Sequence, residues 1–211
     1  SEPEEVSSAA ETETTDDTTI RIGALKGPTG LGMLQLMQEA NDGKKPYEFT
    51  LAGAADELTG KITTGELDAV ALPTNTAATL YNKTEGALQI AMVNTLGVLY
   101  LVTSGDTEIT SVSDLAGKTV VSSGQGTVAE YAFNYILSAN GLEAGKDVTV
   151  EYKSEHSEIA ALMAAGEADI AVLPQPFVTQ ATSQNPDLKV ALDLTEEWDK
   201  ATDGASILTM G

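Results

Sequence analysis

Residues 65–73 read Gly65-Glu66-Leu67-Asp68-Ala69-Val70-Ala71-Leu72-Pro73, and nearly half the chain later residues 166–174 read Gly166-Glu167-Ala168-Asp169-Ile170-Ala171-Val172-Leu173-Pro174. In each copy a glycine fit to end a helix in the left-handed conformation precedes an Asp, a short apolar strand and a terminating proline. The match extends upstream. Lys26-Gly27-Pro28-Thr29-Gly30 follows the apolar run Ile20–Leu25, and Ser123-Gly124-Gln125-Gly126-Thr127 follows the run ending at Val121. Two motifs in the same order and nearly the same register predict a duplicated unit: strand, Gly-rich turn, helix, strand, helix, Gly-Glu-x-Asp, strand, Leu-Pro.

Outward from these units the same alternation continues. Apolar runs at residues 20–25, 47–53, 67–73 and 88–102 predict strands. Helices are expected over about 30–40 and 58–64, and in a short stretch after Thr76. Short, nearly all-apolar strands between helices indicate a parallel sheet covered on both faces. The fold expected is α/β, with two similar lobes of mainly parallel sheet flanked by helices and a ligand cleft between the lobes, because open sheets of this kind bind at the carboxyl ends of their strands. The divisions expected are an acidic disordered tether over 1–18, a first lobe over 19–100, a second over 101–206, and the start of a return crossover at 207–211.

Composition narrows the function. The 211 residues hold 11 Lys plus Arg against 32 Asp plus Glu, a formal net charge of −21. Such a surface repels nucleic-acid backbones, so no nucleic-acid partner is expected. Cysteine is absent and histidine occurs once, as His156. Thiolate catalysis, cysteine-ligated zinc and a multi-histidine metal site are therefore not expected, and neither is a cofactor. His156 lies in the polar stretch Ser154-Glu155-His156-Ser157 and reads as a surface residue. Ser122 and Ser123 have no identifiable base, so the chain is not expected to be an enzyme. No run of apolar residues is long enough to span a bilayer. The first 18 residues are mostly Ser, Thr, Glu and Asp, with neither the basic nor the apolar region of a signal peptide.

The sharpest candidate site is the second Gly-rich turn. Thr127-Val128-Ala129-Glu130 fits a capping box, with Tyr131, Ala132, Tyr135 and Ile136 expected on one helical face. Gly124 and Gly126 would leave backbone N–H groups uncovered at the positive end of the helix, where an anion is favoured. The first turn repeats the arrangement. Ligand-binding residues are accordingly expected at Lys26, Gly27, Thr29, Ser123, Gln125, Gly126 and Thr127. Thr74, Asn75 and Thr76 after the first Leu-Pro, Gln175 after the second, and Thr95 with Asn94 complete the set. Physiological salt screens distant carboxylates within about 10 Å, so the global charge does not forbid an anionic ligand. A neutral heterocycle would instead use Asn75, Gln125 and Gln175 with Tyr81 or Phe177 for stacking.

The stretch Ser111-Val112-Ser113-Asp114-Leu115-Ala116-Gly117-Lys118-Thr119-Val120 resembles the S-x-x-D-L-x-G-K-x-V segment of type 2 periplasmic binding proteins, and the paired Gly-Glu-x-Asp motifs are similar to theirs. The turn region 24–37 and the segment 172–178 most resemble the nitrate, sulfonate, taurine and thiamine-precursor branch. The resemblance implies a hinged clamp that captures a small polar or anionic solute for an ABC importer. It implies further a monomer docking on permease subunits, held at an extracytoplasmic membrane surface by a lipid on a Cys preceding Ser1. The family usually returns to the first lobe with further elements, so the chain is expected to be a truncated clamp. A ligand-sensing domain of a regulator and a cofactor-biosynthesis enzyme on the same fold are the alternatives.

Overall fold

The structure, a computed structural model, describes residues 18–211; the predicted tether, apart from Thr18, lies outside them. Among the described residues, eight strands and eight α-helices follow one another in largely alternating order. In the first half, β1 (Ile20–Leu25) leads through a Gly-rich turn to α1 (Pro28–Leu31) and α2 (Leu34–Asn41). There follow β2 (Tyr47–Ala52), α3 (Ala55–Thr63), β3 (Ala69–Val70) and α4 (Thr74–Lys83). In the second half, β4 (Leu99–Thr103) precedes a 3-10 turn at Val112–Leu115, β5 (Thr119–Ser123) and α5 (Val128–Ala139). The rest are β6 (Thr149–Lys153), α6 (His156–Ala165), β7 (Ile170–Pro174), α7 (Phe177–Gln184), β8 (Lys189–Asp193) and α8 (Leu194–Ala201).

The duplication read from sequence is visible in the strand order. One sheet runs β2-β1-β3, all parallel; the other runs β6-β5-β7-β4-β8. Its β6-β5-β7 portion is parallel and repeats the first sheet's order, while β4 joins antiparallel between β7 and β8. The two Gly-Glu-x-Asp motifs occupy equivalent places. Gly65 (φ 76°) and Gly166 (φ 73°) both take the left-handed conformation that ends α3 and α6, where a side chain would be strained. Asp68 then anchors its strand differently from Asp169. It accepts from the Arg21 amide at 2.8 Å and from the guanidinium Nη2 and Nε at 2.7 and 3.0 Å, which holds its carboxyl down at about 2. Asp169 accepts from Ser104 Oγ at 3.0 Å.

Packing follows the sheets. In the second half one core lies under α5 and α8 with Leu99, Leu101, Phe133, Ile136 and Val172, and another lies under α6 and α7 with Val102, Ile159, Met163 and Leu173. All five residues of β7 are buried, as an apolar strand covered on both faces requires. The first half has a smaller core around Leu58, Ile62, Leu67, Leu72 and Leu80.

Three predicted elements are shorter or broken. The helix expected over 30–40 divides at Gly32 and Met33 into α1 and α2, where Gly30 and Gly32, two residues apart, weaken the helix. The strand expected over 67–73 ladders only at Ala69 and Val70. Of the run 88–102, only the segment from Leu99 forms a strand, while Leu96 makes a single antiparallel bridge to Thr209. Residues 207–211 lie back against the first half. Gly211 O accepts from Asn94 N and Thr95 N at 2.9 and 3.0 Å, and Met210 O accepts from Thr74 N at 3.2 Å.

Candidate ligand cleft

Every parallel strand of a sheet presents its carboxyl end on one side, and here those ends bring the turns of the two halves face to face. Asn75, at the start of α4, donates through Nδ2 to Gly126 O in the turn after β5, at 2.8 Å. The turn after β1 meets the start of α6 and α7: a side chain built at Gly27 would contact the Phe177 and His156 rings. The turn after β2 meets Glu155, whose carboxylate lies so close to Gly53 that a Cβ there would overlap it. Three strand-end turns of one half thus touch three of the other.

Between them is a cavity of about 70 Å³, lined among others by Lys26, Gly27, Thr29, Gly53, Thr127 and His156. A water's share of liquid volume is about 30 Å³, so this space suits a solute of a few heavy atoms. Thr29 is only 5% exposed, and its Oγ1 has no hydrogen-bond partner; Asn75 Oδ1 is likewise buried and unpartnered. Orphaned buried oxygens are uncommon, because each forfeits the hydrogen bonds it made to water. A wider surface hollow of about 480 Å³, lined by Asn134, Glu143 and Asp147, lies away from this seam.

Of the residues expected from sequence, Lys26, Gly27, Thr29 and Thr127 line the cavity, while Asn75 and Gly126 form the hydrogen bond that spans the seam. Others hold the turns in place. Asn94 Nδ2 donates to Thr29 O at 3.1 Å, and Thr95 Oγ1 lies 2.8 Å from Asn94 Oδ1 and 3.4 Å from Pro28 O. Thr74 Oγ1 donates to Thr209 O at 3.2 Å. Gln175 Oε1 caps α7, accepting from Thr179 Oγ1 at 2.9 Å and from its amide at 3.3 Å. Thr76 and Gln125 are not among the residues lining the cavity, and Gln125 is exposed.

Two expectations need correction. The Gly126 N–H is not uncovered: Glu130 Oε2 accepts it at 2.5 Å, one residue earlier than a capping box would place that bond. The same carboxylate, together with burial, which is the larger cause, pushes Tyr152 up to about 12. Thr127 does cap α5, accepting from the Ala129 amide at 3.3 Å. The second correction is His156, which lies at the cavity, stacked against Phe177 with ring centroids 5.4 Å apart, and whose Nδ1 is hydrogen-bonded to Ser123 Oγ. Ser123 therefore does have an imidazole partner. Burial pushes the ring down to about 4, so it is neutral near pH 7. With Ser123, only 2% exposed, donating to Nδ1, the Nε2–H is left as a free donor; the opposite tautomer would strand the buried serine proton.

Comparison with known proteins decides what kind of molecule carries this cleft. The family model of the phosphonate ABC-transporter periplasmic substrate-binding protein matches residues 32–201. The chain belongs to that family. Solved structures of other substrate-binding proteins share its fold. An ABC transporter protein of Parabacteroides distasonis superposes with a TM-score of 0.67 at 24% identity, over 92% of this chain and 65% of that one. The alkanesulfonate-binding protein of Xanthomonas axonopodis, bound to MOPS, gives 0.59 at 19% over 83% and 60%. The nitrate-binding protein of Synechocystis gives 0.60 at 15% over 83% and 51%. The chain spans about three-fifths of the length of the alkanesulfonate-binding and Parabacteroides proteins. A search among curated proteins gives no match. The family and these structural neighbours are periplasmic binding proteins rather than enzymes, and among the described residues no carboxylate is hydrogen-bonded to the His156 ring to complete a triad with Ser123.

Proposed function

We propose that this substrate-binding protein captures a small oxyanion, a phosphonate first among them, between its two halves and presents it to the membrane subunits of an ABC importer. The observation that carries the reading is the cavity at the seam, lined by Thr29, whose Oγ1 lacks a partner, and by Thr127 and His156. Thr29 Oγ1 and the His156 Nε2–H are neutral donors, whereas the Thr127 hydroxyl gives its proton to Gly124 O at 2.5 Å. Donors held in place by backbone and side-chain bonds bind an anion in a small space without needing a matching formal charge. Lys26, exposed at the rim, adds the one cation of the lining. The protein works outside the cytoplasm as a monomer, with its acidic N-terminal stretch serving as a spacer from a lipid anchor at the membrane.

Thermal melting at near-neutral pH against methylphosphonate, phosphate, ethanesulfonate and nitrate tests this. A ligand at a hundred times its Kd stabilises by about 2.7 kcal/mol, a rise of several degrees for a chain of this size. Methylphosphonate is expected to give that rise in the wild type and a smaller one in Thr29→Val. A panel in which no oxyanion moves the midpoint contradicts the reading.

A further inference from the structure

The lining of the seam cavity is unevenly built. Three of its side chains offer donors to a ligand: Thr29 Oγ1, which has no partner, the His156 Nε2–H, and the Lys26 ammonium at the rim. The Thr127 hydroxyl is already engaged, donating to Gly124 O at 2.5 Å and accepting from Ala129 N at 3.3 Å. Another part of the lining is hydrocarbon, and it is continuous. Leu99, Ala129 and Met210 all line the cavity and all pack into one apolar cluster, the core under α5 and α8. Pro174, also in the lining, is buried and stands opposite Leu99 in the β4–β7 ladder. Leu99 is 1% exposed and Ala129 4%, so little water reaches this wall. Of the four side chains only Met210 carries a heteroatom, a thioether sulfur that accepts weakly and donates nothing.

From this, and resting on the oxyanion reading above, we infer that the cavity selects an alkylphosphonate over inorganic phosphate, with Ala129 and Met210 setting the choice. Thr29, His156 and Lys26 hold the oxygens, and the alkyl group lies on the wall of Leu99, Ala129, Pro174 and Met210. Methylphosphonate and phosphate isolate the effect. As single anions they differ in one group, a methyl in place of a hydroxyl. The methyl takes apolar surface out of water when it meets this wall. A hydroxyl in the same place gives up its bonds to water for a surface that returns none. Phosphate, with one more oxygen than the phosphonate, is the poorer ligand because that oxygen has only hydrocarbon to face.

Calorimetric titration at a mildly acidic pH, where both ligands are singly ionised, tests the inference on wild type, Ala129→Ser and Met210→Gln. The wild type is expected to bind methylphosphonate about ten- to a hundredfold more tightly than phosphate, the range set by one buried hydroxyl without a partner. Ala129→Ser adds a single oxygen to the wall and keeps the backbone N–H that Thr127 accepts. Met210→Gln sets an amide there on an unbranched side chain of similar length. Each gives the phosphate hydroxyl a partner, so phosphate binds more tightly, methylphosphonate more weakly, and the ratio falls toward unity. A substitution that only loosened the fold would weaken both ligands and would not strengthen phosphate. Equal wild-type affinities, or a ratio unchanged in both variants, overturn the inference. Binding of phosphate without methylphosphonate overturns it while the oxyanion reading stands. Binding of neither brings down the phosphonate reading, and the inference with it.

Discussion

His156 shows how far a single residue escapes a reading of its neighbours in sequence. Flanked by Glu155 and Ser157, it has the local composition of a surface site, yet its partners Ser123 and Phe177 come from 33 and 21 residues away. The signal that would have found it is positional: it opens the helix after β6, at the carboxyl end of a sheet strand, where such folds place ligands. Thr29 and Thr127 were legible because their turns repeat, and Asn75 because it follows a repeated Leu-Pro. Gly126 was misread because the carboxylate that takes its N–H lies on the next helical turn. The depressed His156 value has a consequence for stability. In the unfolded chain the ring takes up a proton near 6.5 and in the folded chain only near 4, so the unfolded state binds more protons between these values. Its contribution is complete above pH 6.5 and is lost as the pH falls toward 4. Denaturant unfolding of wild type and His156→Gln at pH 7.0 and at about pH 4.5 is expected to show the wild type losing on the order of 2 kcal/mol more than the variant. Equal losses would mean that the ring is not buried.

At the scale of elements, periodicity located the helices but not always the face they bury. On α5 the buried stripe is Ala129, Ala132, Phe133, Ile136 and Leu137. Tyr131 and Tyr135 turn outward, the latter tilted against Trp198 of α8 at 5.2 Å. The Ser-x-x-Asp-Leu-x-Gly-Lys segment, which carried much of the resemblance, proves structural: Asp114 Oδ2 accepts from Ser111 N and Thr110 N at 2.9 and 2.8 Å and pins the 3-10 turn ahead of β5. Caps of this kind stabilise without touching the cleft. Asp193 accepts from Thr195 N at 2.8 Å to start α8, which packs on α5 away from the seam. Asp193→Ala is expected to cost about 1 kcal/mol in chemical denaturation while leaving methylphosphonate affinity unchanged. A cap substitution that also abolished binding would mean that α8 shapes the cleft.

For the whole molecule, the duplication was the most legible feature, because two copies of one unit repeat both their turn chemistry and their strand order. The way the copies meet was less so. Asn75 on Gly126, Gly53 under Glu155 and Gly27 beside Phe177 are contacts between distant segments that no periodicity encodes. Net charge misleads in the same way, since −21 describes the surface and not a cavity lined by Thr29, Thr127 and a neutral His156. The central claim is that one small solute is held inside that seam. Native mass spectrometry of the protein after incubation with methylphosphonate, beside Gly27→Trp whose ring fills the cavity, tests it directly. The account predicts one solute mass per wild-type chain, released on mild denaturation and absent from the variant. The same added mass on both proteins, or none on the wild type, would contradict it.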